Sequence, residues 1–262
     1  MKRLGEINGV LIDIDGTIFR GDQLIEGAKE AIEGLASSGK KILFFSNRGN
    51  LSRRMAYEKL MKAGIHTTIE NIILSSYVAA RFLHTNYPKK SVWVLGEDGL
   101  VEELKEADIK TAKRPEEAEW LVISLHEHLT YVDLNNAFKA VQNGARIIAT
   151  NSDKSFPSEE GEAIDVGGML GAIEATTNKR ADVIVGKPSH FMVDEALKQL
   201  NLIPEECLVI GDSLGSDMAM GELFGFSTAL VLTGGTTGEQ AEKYSDKLDF
   251  ILSSIASLIT TD

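Results

Sequence analysis

The sequence predicts an α/β protein, a parallel sheet with helices on both faces that is interrupted by a second α/β unit. Three observations carry that prediction. Short apolar runs alternate along the chain with stretches whose apolar positions recur at helical spacing. The alternation restarts after Tyr87-Pro88-Lys89-Lys90 and returns to its first form from Ala181. The expected organisation is therefore 1–82, an inserted unit over 83–180, and 181–262, the two outer parts completing one core. Finally, four apolar runs end in polar side chains, as expected at the carboxyl edge of an open parallel sheet.

Val10-Leu11-Ile12 is the first strand and stops abruptly in Asp13-Ile14-Asp15-Gly16-Thr17. Ile25, Ala28, Ile32 and Leu35 fall on one helical face, so a helix is expected over Leu24 to Ser38, with Gly39 at its exit. Lys41 to Phe45 is a second strand, ending in Ser46-Asn47, and a helix follows from about Ser52 to Ala63. Ile72-Ile73-Leu74 is a third strand, with a helix through Ala79 to Leu83. In the inserted unit, strands are expected at Val92–Gly96, Trp120–Ile123 and Arg146–Ala149, and helices at Leu100–Glu106 and Tyr131–Gln142. Thr150 to Gly168 reads as a long polar loop and Gly171 to Thr177 as a small-residue helix. The last third holds strands at Val183–Val185, Leu208–Ile210, Thr228–Leu232 and an edge strand at Phe250–Leu252, with a helix ending at Leu200.

At 262 residues the chain has ample material for a core, and 43% hydrophobic with 25% charged residues is ordinary for a globular protein. A formal net charge of −12 argues against nucleic acid as a partner, because phosphate backbones are bound by lysine and arginine. It also means that a pocket for an anionic substrate must be made locally positive by a cation and a few basic side chains. Cys207 stands alone and beside Leu208-Val209-Ile210, so it reads as a buried structural thiol. Asp13 and Asp15 break the N-terminal apolar run, and no stretch approaches a membrane span; a cytoplasmic protein is expected.

Carboxylates at the end of a buried strand are costly unless something pairs with them. Asp15-Gly16 alone is ordinary turn chemistry. The alternative is that one carboxylate attacks phosphorus while the other moves protons, with a metal ion holding the charges together. The other runs end in Ser46 and Asn47, in Lys187, and in Asp212 with Asp217. Carboxylates for a hard cation, a hydroxyl and an ammonium for phosphate oxygens, and a nucleophile together compose a phosphoryl-transfer site.

This combination resembles the haloacid dehalogenase superfamily of phosphatases over nearly the whole chain. Its four motifs stand in order as Asp13-Ile14-Asp15-Gly16-Thr17, Ser46-Asn47, Lys187-Pro188 and Gly211-Asp212-Ser213-Leu214-Gly215-Ser216-Asp217. The insert resembles the cap of the NagD/p-nitrophenylphosphatase-like branch, as do Thr150-Asn151-Ser152-Asp153 with Pro157, Gly186-Lys187-Pro188-Ser189 and Val231-Leu232-Thr233-Gly234. The resemblance implies a Rossmann-like core with an inserted α/β cap, closing over a small phosphorylated metabolite and allowing homo-oligomers through the cap. It implies Asp13 as nucleophile, ionised through a metal ion and Lys187. Asp15 is then the acid and base, and Mg²⁺ lies among Asp13, the Asp15 backbone carbonyl and Asp212. Ser46 and the Asn47 backbone would bond the phosphoryl oxygens, Lys187 would offset their charge, and Asp217 would support a metal-bound water or Lys187. Phosphoryl transfer to another alcohol, mutase chemistry and a non-catalytic binding protein remain as alternatives.

Some positions depart from the family pattern. Ser46-Asn47-Arg48-Gly49 replaces the usual threonine and second asparagine, leaving Arg48 either at a substrate anion or in water. His126-Glu127 stands where the family often has Asp-Arg, which leaves the substrate open. Asn151 and Asp153 either reach substrate from the cap or form an Asn/Asp-rich turn. His126 and His128 read as solvated, Arg53 and Arg54 as exposed, and the Gly167-Gly168 and Gly234-Gly235 pairs as loops without P-loop character.

Overall fold

The computed structural model describes residues 4–158 and 161–260. Strand β1 (Gly9–Ile12) is buried along its whole length, as a strand covered by helices on both faces must be. A small antiparallel hairpin, β2 (Phe19–Arg20) and β3 (Gln23–Leu24), follows before helix α1 (Ala28–Ser37). That helix begins later than its apolar spacing suggests, because Leu24 is spent on β3 and Gly27 sits at φ 75°, a left-handed conformation that ends the turn. Then come β4 (Lys41–Ser46), α2 (Arg53–Lys62), β5 (Ile72–Leu74) and α3 (Ser75–Asn86). Ser52 caps α2, its hydroxyl accepting from the Met55 amide.

The middle of the chain supplies β6 (Val92–Leu95), α4 (Asp98–Glu106), β7 (Trp120–Ile123), α5 (Tyr131–Gln142) and β8 (Arg146–Ala149). Thr130 and Asp133 form a capping box at the start of α5. The stretch expected as polar loop is partly ordered: β9 (Ser155–Ser158) and β10 (Gly161–Ile164) pair as an antiparallel hairpin, and α6 (Val166–Thr177) begins behind Asp165. Pro157 and Gly161 hide this hairpin in the sequence, since proline reads against a strand unless the strand is an unshared edge. Gly167 and Gly168 consequently lie in a helix and not in a loop.

After β11 (Val183–Ile184) come α7 (His190–Leu200), β12 (Cys207–Gly211), a π-helical turn at Leu214–Met218, α8 (Ala219–Phe224), β13 (Ser227–Val231), α9 (Gly238–Lys243) and β14 (Phe250–Leu252). The larger sheet runs β14-β13-β12-β1-β4-β5, all parallel, with Ile12 level with Ile210 on one side and Phe44 on the other. The chain builds outward from β1 through β4 and β5, then resumes on the opposite side with β12. The strand order therefore reverses between β1 and β12, the place where open sheets form a ligand crevice.

The second sheet runs β11-β8-β7-β6, also parallel. Its β11 member differs from expectation: Val183–Ile184 pairs with Ile148 and Ala149, so this apolar run ends the second sheet instead of rejoining the first. A short β-branched run looks the same in either sheet. One apolar cluster packs Leu11, Phe45, Val78, Leu83, Leu100, Leu104 and Trp120 together, joining the two units, while a second lies on the other face of the large sheet around Val10, Ile12, Phe44 and Ile210.

Candidate active site

Three strands of the large sheet end side by side, and their next residues supply the site. β1 delivers Asp13, whose amide donates to the Ile210 carbonyl at 2.8 Å, and β12 delivers Asp212 directly alongside. β4 ends in Ser46. Lys187 arrives differently, on the connection between β11 and α7, through a cis Lys187-Pro188 bond. Asn47 pins that connection: its carboxamide oxygen accepts from the Lys187 amide at 2.7 Å and its nitrogen donates to the Lys187 carbonyl at 3.2 Å.

The Lys187 ammonium is buried, with a side-chain exposure of 2%, and donates to Asp13 Oδ1 at 2.6 Å, Asp217 Oδ1 at 2.7 Å and the Phe45 carbonyl at 2.9 Å. Its three protons are thereby all engaged, and the carboxylates around it hold it ionised, above the ordinary lysine range. Asp217, on the π-helical turn, also accepts from the Ser213 amide at 3.1 Å, while the helix-capping role at that turn falls to Ser213. Asp212 accepts from the Gly235 amide at 2.5 Å.

Carboxylate oxygens of Asp13, Asp212 and Asp217 all lie within 4.8 Å of one another, and all three residues are buried. One ammonium does not balance them. Burial raises the Asp13 carboxyl well above its ordinary value, with Asp217, Asp212 and Asp15 adding to the effect and only Lys187 opposing it. Burial and the neighbouring Asp217 likewise push Asp212 up to about 6. Three buried carboxylates thus face one ammonium, a surplus of negative charge that leaves room for a further cation among them. The donor set, all carboxylate oxygen, suits a hard divalent cation such as Mg²⁺. Glycines make the close packing around it feasible: a Cβ on Gly234 would stand 1.9 Å from Asp212 Oδ2, and one on Gly16, at φ 82°, 2.5 Å away.

Asp15 lines the same cleft and has a partner of its own. Arg48 holds it with two hydrogen bonds, Nε to Oδ2 at 3.0 Å and Nη2 to Oδ1 at 3.3 Å. The same guanidinium lies 3.7 Å from Glu127 and 5.2 Å from the Phe156 ring centre, so Arg48 meets a carboxylate and an aromatic ring of the inserted unit. Ser46 Oγ accepts from the Arg48 amide at 3.1 Å. Asn151 donates to the Asn47 carbonyl at 3.2 Å and accepts from the Asp153 amide, while Asp153 accepts from Asn47 at 3.0 Å. The Asn/Asp turn and the contact across to the β4 loop thus occur together.

All of Asp13, Asp15, Ser46, Asn47, Arg48, Asn151, Asp153, Lys187, Asp212 and Asp217 line one cleft of about 680 Å³. The sequence reading missed part of its wall, namely Phe156, Glu162 and Asp165 on and beside the β9–β10 hairpin, and Thr236 and Gln240 behind Gly235. Asp165 was detectable as an acidic residue ahead of a small-residue helix, whose first amide it accepts at 2.6 Å. His126 is not solvated as expected: it sits 3.7 Å from Glu97 and 3.9 Å from Asp133 with a side-chain exposure of 18%. Arg53 is similarly half-buried, its guanidinium 3.8 Å from the Tyr77 ring centre.

Residues 10–110 match the family model of the haloacid dehalogenase-like hydrolases, and residues 184–258 match a second model, HAD-hydrolase-like. The chain is 56% identical to sugar-phosphatase AraL of Bacillus subtilis, over 94% of this chain and 90% of that one. Its fold is similar to the p-nitrophenyl phosphatase of Archaeoglobus fulgidus, with a TM-score of 0.90 and 36% identity over 97% of this chain and 98% of that one. It is similar as well to the 4-nitrophenylphosphatase of Thermotoga maritima, with a TM-score of 0.91 and 29% identity over 98% of each chain.

Proposed function

The chain belongs to the haloacid dehalogenase-like hydrolases, and from that premise we propose a Mg²⁺-dependent phosphatase that cleaves small phosphomonoesters through an aspartyl-phosphate on Asp13. The observation that carries this reading is the buried Lys187 ammonium bound to both Asp13 and Asp217, with Asp212 beside them. A lysine so fixed adds a permanent positive charge next to the nucleophile, where the phosphoryl oxygens must come.

In the proposed reaction an Asp13 oxygen bonds to phosphorus as the bond to the leaving oxygen breaks, and Asp15 gives that oxygen a proton. Asp15 then takes a proton from water, whose oxygen attacks phosphorus, so that inorganic phosphate leaves and Asp13 is restored. Ser46 and the Asn47 amide orient the phosphoryl group. Asp13, Asp212 and the Asp15 carbonyl would hold Mg²⁺, with Asp217 next to them, and the ion supplies charge that Lys187 alone does not. We take 1–82 as the first part of the core and the stretch from 83 as the cap, and we move the return to the core from 181 to about Val185 because Val183–Ile184 pairs in the smaller sheet. The cap would exclude water from the closed site.

Sugar phosphates are the substrate class we place first. The cleft wall away from Asp13 offers acceptors for sugar hydroxyls in Asp153, Ser155, Glu162 and Asp165, and a relative at 56% identity is named a sugar phosphatase. Asp13→Asn should lower phosphate release from a panel of sugar phosphates by about a thousandfold or more, measured with Mg²⁺. A variant that keeps most of its activity would contradict the nucleophile assignment.

A further inference from the structure

A second cavity of about 310 Å³ adjoins the cleft, with Asp15 in the lining of both. Ile14, Phe19, Leu51, Met55, Leu60 and Leu74 form an apolar wall, and Asp22, Asn50, Lys59 and Glu127 line the rest. Lys59 stands at one side, held by the Gly21 carbonyl at 2.9 Å and by Asp22 at 3.1 Å, so its charge is already engaged. Among the described residues, Asp15 and Arg48 are the two that line both this cavity and the cleft. The partition between the two spaces is thus their bidentate ion pair. Glu127 and Phe156 brace the guanidinium from the inserted unit.

Resting on the phosphatase reading above, we propose that Arg48 is a specificity-determining residue. Its ion pair with Asp15 walls off an annex with one apolar wall that would otherwise accept aryl or alkyl leaving groups, and so favours compact polar ones. With phosphorus at Asp13 and the leaving oxygen at Asp15, the carbon skeleton has two directions open to it. One leads into the cleft among Asp153, Lys154, Glu162 and Asp165; the other leads through the Arg48 position into the annex. The annex is about twice the roughly 150 Å³ that holds a benzene molecule in an apolar protein cavity, so a phenyl group fits it. Its apolar wall attracts such a group by burial.

The test compares glycerol phosphate with phenyl phosphate as substrates, both with Mg²⁺, for the unaltered chain, Arg48→Ala and the double variant Arg48→Ala/Met55→Trp. Removing the wall should raise the ratio of kcat/KM for phenyl over glycerol phosphate at least about tenfold. Filling the annex with the indole should return the ratio toward that of the unaltered chain. A ratio unchanged by Arg48→Ala overturns the proposal, and so does a rise that survives Met55→Trp. A calorimetric comparison of phenylphosphonate with methylphosphonate binding gives the same ratio without turnover, and a melting curve for each variant confirms folding. If the unaltered chain hydrolyses neither ester, the phosphatase reading falls while the phosphonate ratio still decides whether Arg48 closes the annex.

Discussion

At the scale of single residues, the site is a problem of charge held at close quarters. Lys187 uses all three ammonium protons on Asp13, Asp217 and the Phe45 carbonyl, yet Asp212 remains as a further buried carboxylate within the same few ångströms. The glycines at 16 and 234 let Asp212 approach, and the Gly235 amide orients it. Gly234→Ala should therefore push Asp212 out of position and weaken the Mg²⁺ activation constant by about 10- to 100-fold, with Lys187 untouched. Titration of activity against Mg²⁺ reads this directly; an unchanged constant would remove Asp212 from the metal set. Asp13, Asp15 and Asp212 were legible because charge that interrupts a buried apolar run demands a partner. The bond between Arg48 and Asp15 was not, since it joins residues 33 positions apart and depends on Glu127 and Phe156 closing from another unit.

Secondary-structure elements connect the site to the inserted unit through the start of α2. Ser52 and Arg54 donate to Glu102, the Arg53 amide donates to Glu103 at 2.6 Å, and Asn50 donates to Glu97 at 3.2 Å. Gly99 packs so closely that a Cβ there would stand 2.3 Å from the Asn50 carbonyl oxygen. The loop carrying Ser46, Asn47 and Arg48 is thus fixed at its far end by α4. Glu103 is buried, and burial raises its carboxyl above the usual value despite the Arg53 amide and guanidinium.

A carboxyl whose pKa is raised by folding costs stability as pH climbs from its ordinary value through the raised one, because over that range the unfolded chain gives up a proton that the folded chain still holds. Glu103→Gln should consequently match the unaltered chain in mild acid and exceed it in stability at neutral pH. Glu103→Ala should lose about 1–3 kcal/mol at either pH by leaving the Arg53 amide without its acceptor. Urea unfolding at the two pH values separates these outcomes, and a glutamine variant less stable at neutral pH would contradict the sign. Periodicity located α5 to the residue, Tyr131–Gln142, because a long amphipathic stretch has one reading. It missed β2–β3 and β9–β10, which are short, partly exposed and interrupted by glycine or proline.

For the whole molecule, chain order explains why residues so far apart in sequence converge. β1 is central in the large sheet, the first part of the chain fills one side, and the last part fills the other. Asp13 and Asp212 meet at the reversal, Ser46 stands one strand over, and the connection after β11 lowers Lys187 into the gap from the second sheet. Motif order made this convergence readable, whereas the sheet to which Val183–Ile184 belongs was not, since two apolar residues carry no signature of their neighbours. On the proposed reading, a formal net charge of −12 is reconciled with an anionic substrate by concentrating Lys187, and the Mg²⁺ proposed beside it, at one point.

The central claim is that the Asp13 oxygen bonds to phosphorus. Turnover of a substrate with a radiolabelled phosphoryl group, quenched in acid and followed by peptide mapping, measures it most directly, with Asp15→Asn used to slow release. The account predicts label on the peptide that contains Asp13 and none in the Asp13→Asn chain. Label on another residue, or phosphate release with no labelled protein at any time, would contradict it.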